Sequence, residues 1–231
     1  MVKKHLKRLN APKGWSILRK NFKFIMRPNS GPHSLTSSLP LGVLIRDMIC
    51  YAKTSKEIKY MLNNRGVLVD GVKRTDPKFP IGLFDCVEFS EANKCFRIVF
   101  DSKGNLSIIP ADKAESKIKP CKIDGKSKVK GKTQLNLFDG ANIITEKDDF
   151  KVGDTLLLEL PKRTIKEHIK FQKGVTICLV GGKHTGQIGK IVDVKEDKIS
   201  YKNKEGEVVE TLKKYAFVVG TDKPAISLIK K

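Results

Sequence analysis

The chain has 231 residues, of which 46 are Lys or Arg and 25 are Asp or Glu, so its formal net charge is +21. This excess favours a polyanionic partner, nucleic acid first and an anionic membrane surface second. No apolar run approaches the roughly 18 residues that span a bilayer, and no apolar signal-peptide core follows the basic N-terminus. We therefore expect no membrane segment and no secretory leader, and the Lys, Pro and Gly content disfavours a mitochondrial transit peptide.

The cysteines predict neither a metal site nor a disulfide framework. All 5 are scattered along the chain without a C-x-x-C pair, and the 4 histidines do not cluster near them. Zinc sites and small disulfide scaffolds need closely spaced ligands or paired cysteines. We expect reduced, buried cysteines in a cytosolic protein and no metal.

Residues 1–40 form a basic segment with nine Lys or Arg and no acidic residue, a charge of +9. Proline and glycine interrupt it repeatedly and its like charges repel, so we expect that it does not fold alone and gains order only on binding. Trp15, Phe22 and Phe24 would stack on RNA or dock on the body of the protein. A flexible basic tail with incidental aromatic residues is the alternative.

Segment 41–94 begins with two predicted helices. In "LPLGVLIRDMICYAK" apolar residues recur at helical spacing from Leu41 to Ala52. The following "TSKE" is a capping-box pattern, in which Thr54 and Glu57 would satisfy the first turn of the second helix.

A hairpin is predicted after these helices. Gly66 is placed to end the second helix. "VLVDGVKR" predicts two strands around an Asp70-Gly71 turn, and "CVEFS" predicts a further strand. The segment is therefore expected to consist of two helices packed on a short hairpin.

From residue 95 the helical signal fades and strand-like runs take over. "KCFRIVF" and "LSIIP" flank the turn "DSKGN", and "TQLNLFDGANIIT" and "DTLLLELP" add further runs, so segment 95–172 is expected to be β-rich. The lysine-rich "KIDGKSKVKGKT" predicts a loop. Its lysines would contact phosphates or merely be solvated.

Segment 173–231 predicts a small antiparallel barrel of about five strands. The short apolar runs "VTICLV", "IGKIVDV", "KISYK", "VVETL" and "YAFVVG" follow one another with turn residues between them.

The stretch "CLVGGKHTGQIGKIVDV" looks like a nucleotide-binding loop but lacks its parts. Gly186 is followed by Gln187, not by the Lys-Ser/Thr pair of a P-loop. A dinucleotide loop and a KH clamp also need a helix, whereas "KIVDV" predicts a strand. We therefore expect a hairpin whose glycines permit positive φ and close approach of a sugar-phosphate backbone, with a plain tight turn as the alternative.

Several motifs are similar to known RNA-binding families. "GVTICLVGGKHTGQIGKIVDV" resembles a KOW motif, and segment 41–90 resembles the α-L RNA-binding fold. These motifs, together with "KKHLKRLNAPKGW", "RPNSGPHSL", "FRIVFDSKGNL" and "TQLNLFDGANI" in this order, resemble the archaeal and eukaryotic e-type small-subunit ribosomal protein four family. The similarity covers nearly the whole chain, and the short C-terminus is archaeal-like.

This resemblance implies an α+β, multi-domain protein. Its parts would be a basic extension (1–40), an α-L RNA-binding domain of two helices and a hairpin (41–94), a β-rich central domain (95–172) and a C-terminal SH3-like KOW β-barrel with its tail (173–231). The resemblance also implies a cytoplasmic, structural component of the small ribosomal subunit that binds rRNA beside neighbouring ribosomal proteins. It implies no catalytic residue, no cofactor, no membrane and no small-molecule substrate.

The predicted RNA contacts lie in three places. In the extension they are His5, Lys7, Arg8, Trp15, Arg19 and His33. In the helix-hairpin segment they are Arg46, Lys53, Lys56, Arg65, Lys73 and Arg74. In the barrel they are Lys183, His184 and Lys190. Phosphate contacts would supply affinity through counterion release, and the shape of the folded RNA would supply specificity.

Two alternative functions stay open. An RNA-modifying enzyme would use the α-L module to bind its substrate, but the central segment shows no recognisable nucleophile constellation, and Asp101 or Asp139 alone is too little. A free KOW-type transcription factor is disfavoured because residues 1–40 fit the ribosomal pattern.

Overall fold

The computed structural model describes residues 5–146, 148–203 and 205–228. Within these ranges strands dominate and helices are short. The chain divides into two compact units. The first comprises residues up to Val99 together with Asn105–Lys117, and the second comprises Phe100–Gly104 and the residues from Ile118 onward. No helix in the described ranges is long and apolar enough to cross a membrane.

The first unit contains two short two-stranded sheets and one five-stranded sheet. Its strands are β1 (Leu6–Lys7), β2 (Phe24–Ile25), β3 (Ser38–Pro40), β4 (Val67–Val69), β5 (Val72–Lys73), β6 (Pro80–Gly82), β7 (Cys86–Phe89), β8 (Lys94–Phe100) and β9 (Leu106–Ala111). β1 pairs with β2 and β3 pairs with β6, both antiparallel. The larger sheet has the order β5-β4-β7-β8-β9.

The first predicted helix is shorter than its apolar stripe. Helix α1 (Leu41–Val43) widens at once into a π-helical turn over Leu44–Met48. The N–H of Ile49 donates to the carbonyl of the residue five positions earlier at 3.0 Å, and Cys50 then takes a φ of 62°. The predicted continuation to Ala52 is therefore wrong, because this positive φ ends the helix while the buried apolar residues continue beyond it.

The second predicted helix is confirmed as α2 (Ser55–Asn64). The Thr54 hydroxyl accepts the N–H of Glu57 at 3.2 Å, and the Glu57 carboxylate accepts the N–H of Thr54 at 3.4 Å. This reciprocal pair is the predicted capping box. Ile58 and Leu62, one turn apart, are fully buried, so α2 packs one face against the unit and leaves the other in solvent.

The predicted hairpin after α2 is also confirmed. Gly66 follows the helix with a φ of 60°, and Asp70 and Gly71 turn the chain with φ values of 51° and 76°. Positive φ at both central residues is the geometry that matches the twist of a two-residue hairpin. Val69 pairs with Val72 across this turn.

The described part of the basic segment is packed into the first unit. Trp15 is 2% exposed, its Nε1 donates to the carbonyl of Ser38 at 2.7 Å, and it forms a parallel bridge with Leu106. The carbonyl of Gly14 accepts the N–H of Leu106 at 2.7 Å. The expectation that this segment gains order only on binding is therefore corrected. Trp15 supplies the buried apolar area that its charged neighbours lack, and its indole docks on protein.

The second unit contains two five-stranded antiparallel sheets. Their strands are β10 (Ile118–Val129), β11 (Lys132–Leu137), β12 (Asn142–Thr145), β13 (Thr155–Glu159), β14 (Thr164–Ile169), β15 (Thr176–Leu179), β16 (Ile188–Val194), β17 (Lys198–Asn203), β18 (Val208–Leu212) and β19 (Ala216–Gly220). The orders are β12-β11-β10-β13-β14 and β18-β17-β16-β15-β19. Leu157 and Ile169 of the first sheet share one buried cluster with Ile177 and Ile199 of the second.

Three short helical turns complete the described elements. They are α3 (Lys113–Ser116) and two 3-10 turns over Arg8–Asn10 and Lys213–Tyr215. The five strands predicted beyond residue 173 are all present, as β15 to β19.

The lysine-rich stretch predicted as a loop is instead a hairpin. It spans the end of β10 and the start of β11, with Lys130 and Gly131 turning at φ values of 50° and 79°. Val129 pairs with Lys132 across the turn. The charged side chains do not prevent this pairing, because most of them project into solvent while the two strands pair through their backbones.

The predicted boundary between residues 94 and 95 does not coincide with a division of the structure. β8 lies beside β7 in the five-stranded sheet of the first unit, with Cys86 paired to Arg97. β9 belongs to the same sheet. The chain is likewise undivided at residues 172 and 173, since both flanking sheets lie in the second unit.

Candidate nucleic-acid interface

Besides Trp15, two predicted contact residues of the basic segment are buried and hold the first unit together. The Nη1 of Arg8 donates to the carbonyl of Leu18 at 2.7 Å, and its Nη2 lies 3.5 Å from the Oδ2 of Asp47. The Nε2 of His33 lies 2.9 Å from the Oδ2 of Asp85, and both side chains are almost fully enclosed. Protein surrounds the side chains of Arg8, His33 and Trp15 in this structure, and their predicted RNA contacts stay predictions.

Arg19 is half-buried and binds its own segment. Its Nη1 donates to the carbonyl of Ala11 and its Nη2 to that of Pro12, both at 2.8 Å. These bonds bind the guanidinium to the loop that carries Trp15. The guanidinium donors of Arg19 therefore hold this loop, whereas they would otherwise be available to RNA phosphates.

The two-stranded sheet β1–β2 has one buried face and one exposed face. Leu6 pairs with Ile25, and these side chains are 8% and 7% exposed. Lys7 pairs with Phe24, and both are exposed. Since alternate residues of a strand share a face, His5 lies on the side of Lys7, and its ring centroid is 5.7 Å from that of Phe24.

Four predicted cations lie at the two ends of α2. Lys53 and Lys56 are exposed at its start. Arg65 and Lys73 are exposed at its end, where the Nζ of Lys73 donates to the carbonyl of Asn63 at 3.3 Å. A helix of this length spans about 15 Å, so the two pairs are separated by the exposed face of the helix.

Arg46 and Arg74 are half-buried and restrained by neighbours. Arg46 makes two bonds with Asp47, at 2.9 and 3.0 Å, and these bonds raise the pKa of the guanidinium. The guanidinium carbon of Arg74 lies 4.4 Å from the ring centroid of Phe79. Both arginines are held in fixed positions, which lowers the entropy that a further contact would lose.

The glycine-rich stretch connects β15 to β16, as predicted, and presents Lys183 to solvent. Lys183 is exposed and His184 is half-buried at the connection. The Thr185 hydroxyl donates to the carbonyl of Gly182 at 2.8 Å, which closes the loop on itself. Because a strand lies on each side of this loop, it lacks the helix that a nucleotide-binding loop requires.

The glycines of this loop approach protein atoms. A Cβ at Gly181 would overlap the ring of Tyr215, and a Cβ at Gly186 would overlap the main-chain carbonyl of Asp101. Gly189 is similarly close to main-chain atoms of Lys202. The expectation that the bare backbone lies against RNA is corrected at these positions, because their missing side chains admit packing within the second unit.

Lys190 lies beside a cation that the sequence did not single out. Lys190 and Lys202 are Cα partners of β16 and β17, and both are exposed. The Nζ of Lys190 is 3.3 Å from the Oδ1 of Asp222, with both side chains more than half exposed. Only the strand register places the two lysines together, so no signal within either strand identifies Lys202.

The two carboxylates considered as catalytic candidates both make hydrogen bonds within the protein. Asp139 is buried, lies 3.3 Å from the Nζ of Lys119, and accepts the N–H of Ala141 at 3.1 Å. Asp101 accepts the N–H of Ser102 at 2.8 Å. Among the residues that the structure describes, no group of three His, Cys, Asp or Glu is placed to hold a metal ion.

Known proteins resemble this chain along nearly its whole length. The family profile described as "Ribosomal family S4e" matches residues 92–165, and the "RS4NT (NUC023) domain" profile matches residues 2–36. The small ribosomal subunit protein eS4 of Methanosphaera stadtmanae is 44% identical over 98% of this chain and 96% of that protein. The eS4 of Methanocaldococcus jannaschii is 41% identical over 98% of each.

A solved structure agrees with this similarity. The crystal structure of the 30S ribosomal protein S4e from Thermoplasma acidophilum has a TM-score of 0.70 and 29% identity, covering 84% of this chain and 99% of that one. Sequence and fold point to the same relatives. The chain therefore belongs to the S4e family of ribosomal proteins.

Proposed function

We propose that the chain is a structural constituent of the small ribosomal subunit that binds rRNA in the cytoplasm and supports translation. The observation that carries this proposal is the identity of 44% to a small ribosomal subunit protein over 98% of the chain. The net charge of +21 supplies the matching physical property, since phosphates dominate the affinity of such complexes. Its partners are small-subunit rRNA and neighbouring ribosomal proteins, and its role involves no catalysis.

Two modules are proposed within this fold. Helix α2 with the β4–β5 hairpin and β7 corresponds to the α-L RNA-binding fold, supported by the capping box of α2 and the tight turn at Asp70 and Gly71. The sheet β15 to β19 corresponds to the KOW-type SH3-like barrel, supported by its five antiparallel strands and its glycine-rich first connection.

Each unit has its own proposed RNA-contacting surface, formed by the exposed part of the predicted set. Those side chains project into solvent and keep donors for phosphate, and the register adds one lysine to them. In the first unit they are His5, Lys7, Lys53, Lys56, Arg65 and Lys73, and in the second unit they are Lys183, Lys190 and Lys202. Arg19, Arg46, Arg74 and His184 are half-buried and contribute where RNA reaches their remaining donors. Arg8, Trp15 and His33 act indirectly by holding the first unit in shape.

Binding to protein-free small-subunit rRNA tests this function. The affinity of the purified chain is measured by filter binding across a range of KCl concentrations, with excess tRNA as competitor. About eight phosphate contacts predict a log-log salt slope of roughly −6 to −7. Specific binding should survive the tRNA, because the folded shape of the rRNA is recognised. Equal affinity for tRNA and rRNA would overturn the proposal.

A further inference from the structure

Two aromatic rings of the first unit project into solvent. Phe22 is 67% exposed and Phe24 is 50% exposed, two residues apart in the chain. Trp15, in the same basic segment, is only 2% exposed. The segment therefore encloses one aromatic side chain and presents two others.

The exposed rings are held by ordered structure on their inner side. Phe24 lies in β2, whose neighbour Ile25 is buried and paired with Leu6. The carbonyl of Lys23, between the two rings, accepts the N–H of Arg8 at 3.0 Å. The guanidinium carbon of Arg8 lies 5.8 Å from the ring centroid of Phe22. Because the backbone that carries the rings is paired, less conformational freedom is lost when a second planar group covers a ring.

Basic side chains lie beside Phe24. The Nζ of Lys23 lies 5.5 Å from the ring centroid of Phe24, and the ring of His5 lies at 5.7 Å. Lys7 is the cross-strand partner of Phe24. Residues 1–40 contain no acidic residue, and Asp47 from the following segment pairs with Arg8.

Exposed rings beside the solvent-exposed lysines Lys7 and Lys23 match one kind of partner. A single-stranded nucleic acid places phosphates on the cations and bases on the rings. An apolar protein surface would cover the rings but would leave the adjacent ammonium groups dehydrated without a counter-charge. The charge of the surface therefore selects RNA with exposed bases over an apolar protein surface.

We propose that Phe22 and Phe24 form a stacking platform for unpaired bases of RNA, with Lys7 and Lys23 holding the adjoining phosphates. This proposal rests on the proposed function and adds to it a class of RNA element, an unpaired loop or bulge. The other proposed contacts recognise the phosphate backbone and the shape of the folded RNA, whereas Phe22 and Phe24 bind unpaired bases.

Ring replacements test the platform with a single-stranded oligouridylate as probe. The double variant Phe22→Leu/Phe24→Leu keeps much of the apolar area but has no planar face, and Phe22→Tyr/Phe24→Tyr keeps the face. Binding is measured by fluorescence anisotropy over a range of KCl concentrations. The Leu variant should bind roughly 5- to 150-fold more weakly for each base that stacks, and the Tyr variant should bind like the parent.

The salt dependence separates stacking from charge. Replacing the rings removes no phosphate contact, so the Leu variant should keep the parental log-log slope. Lys23→Ala should instead reduce the magnitude of that slope by about 0.7. Leu18→Ala, at a residue of the same segment that is 75% exposed, is the matched apolar control and should change neither quantity.

The outcomes distinguish this proposal from the proposed function. If the Leu variant binds the oligouridylate like the parent while the parent binds small-subunit rRNA, the platform is overturned and the function stands. If the parent fails to bind rRNA at all, the function itself fails. If the Leu variant binds RNA normally but loses a ribosomal protein partner, the rings dock on protein and the platform is again overturned. Unchanged thermal melting of the variants checks that folding is intact.

Discussion

Gly186 illustrates why one residue in the glycine-rich loop has no substitute. Its φ is 86°, and a Cβ there would overlap the main-chain carbonyl of Asp101. Gly174 has nearly the same φ, 85°, but a Cβ there would have nothing within 4 Å. Comparing Gly186 with Gly174 therefore distinguishes the cost of backbone strain from the cost of steric overlap, and both glycines lie in the second unit.

Gly186→Ala should therefore destabilise the protein more than Gly174→Ala. The left-handed conformation costs an L-residue roughly 1–2 kcal/mol at either position, and overlap adds to this only at Gly186. Urea unfolding followed by circular dichroism measures both variants against the parent. Equal losses in the free energy of unfolding would show that the loop relaxes away from Asp101.

The cysteines should differ sharply in reactivity. Cys50 is exposed, whereas Cys86, Cys95, Cys121 and Cys178 are buried. Burial raises the pKa of Cys178 to about 12, so little reactive thiolate forms at neutral pH. Iodoacetamide at pH 8 should modify Cys50 alone in the folded protein and all five thiols in urea, as measured by peptide mass mapping. Modification of Cys178 at the rate of Cys50 would contradict the fold of the second unit.

Single residues also show what the sequence leaves undecided. Trp15, Phe22 and Phe24 share a segment and a composition, and the sequence offered stacking and docking for all three. Trp15 is buried because Ser38 and Leu106 receive it, and these residues are far away in the chain. Local patterns do not contain such contacts, so the choice between docking and exposure required the folded structure.

At the scale of elements, the capping box of α2 is the feature with the most direct energetic consequence. Thr54→Ala removes the oxygen that accepts the N–H of Glu57, and such a loss costs roughly 0.5–2 kcal/mol. Ser55→Ala removes a hydroxyl one position later, outside the box, and is the matched control. Urea unfolding should show a loss for the first variant that clearly exceeds the loss for the second.

The same box predicts a pH dependence. The main-chain N–H of Lys53 and the Thr54 hydroxyl donate to Glu57 and hold the pKa of its carboxyl below the ordinary value. A lowered folded pKa stabilises the protein above the unfolded pKa, and the contribution disappears as the pH falls through the folded pKa. The stability difference between the parent and Glu57→Gln should therefore shrink as the pH falls from 7 to about 3. A difference that grows on acidification would contradict the capping geometry.

Elements whose sequence signals lie within a few neighbouring residues were predictable. The capping box, the Asp70-Gly71 turn and the five strands after residue 173 depend on neighbours in sequence, and all are present. The lysine-rich hairpin at Lys130 and Gly131 was missed because composition indicated a loop while the pairing partner determined a strand. The π-helical turn was missed because its apolar residues keep the spacing of an ordinary helix.

At the scale of the whole molecule, long-range pairing decides what composition does not. β8 and β9 join the first unit because β8 pairs with β7, although their sequences resemble the β-rich run that follows them. A boundary drawn from the fading helical signal at residue 95 therefore divides a sheet. The family assignment does not depend on this boundary, since it rests on motifs whose order along the chain is unaffected by how the strands pair.

The exposed charges of the basic segment should affect association with the small subunit and leave folding unchanged. Lys7, Lys20 and Lys23 are exposed, so the triple Gln variant should melt like the parent yet associate more weakly with the small subunit. A matched variant with Gln at Lys162, Lys166 and Lys170 removes three exposed charges outside the proposed surface. Equal weakening by both variants would mean that net charge alone, and not its position, controls association.

Sedimentation of the native protein tests the ribosomal role most directly. A lysate is separated on a sucrose gradient under conditions that keep the subunits apart, and the chain is located by antibody. The protein should co-migrate with the small subunit, near-stoichiometric to its rRNA, and should be released at high salt. A chain that remains in the free fractions at low salt while translation continues would contradict this role.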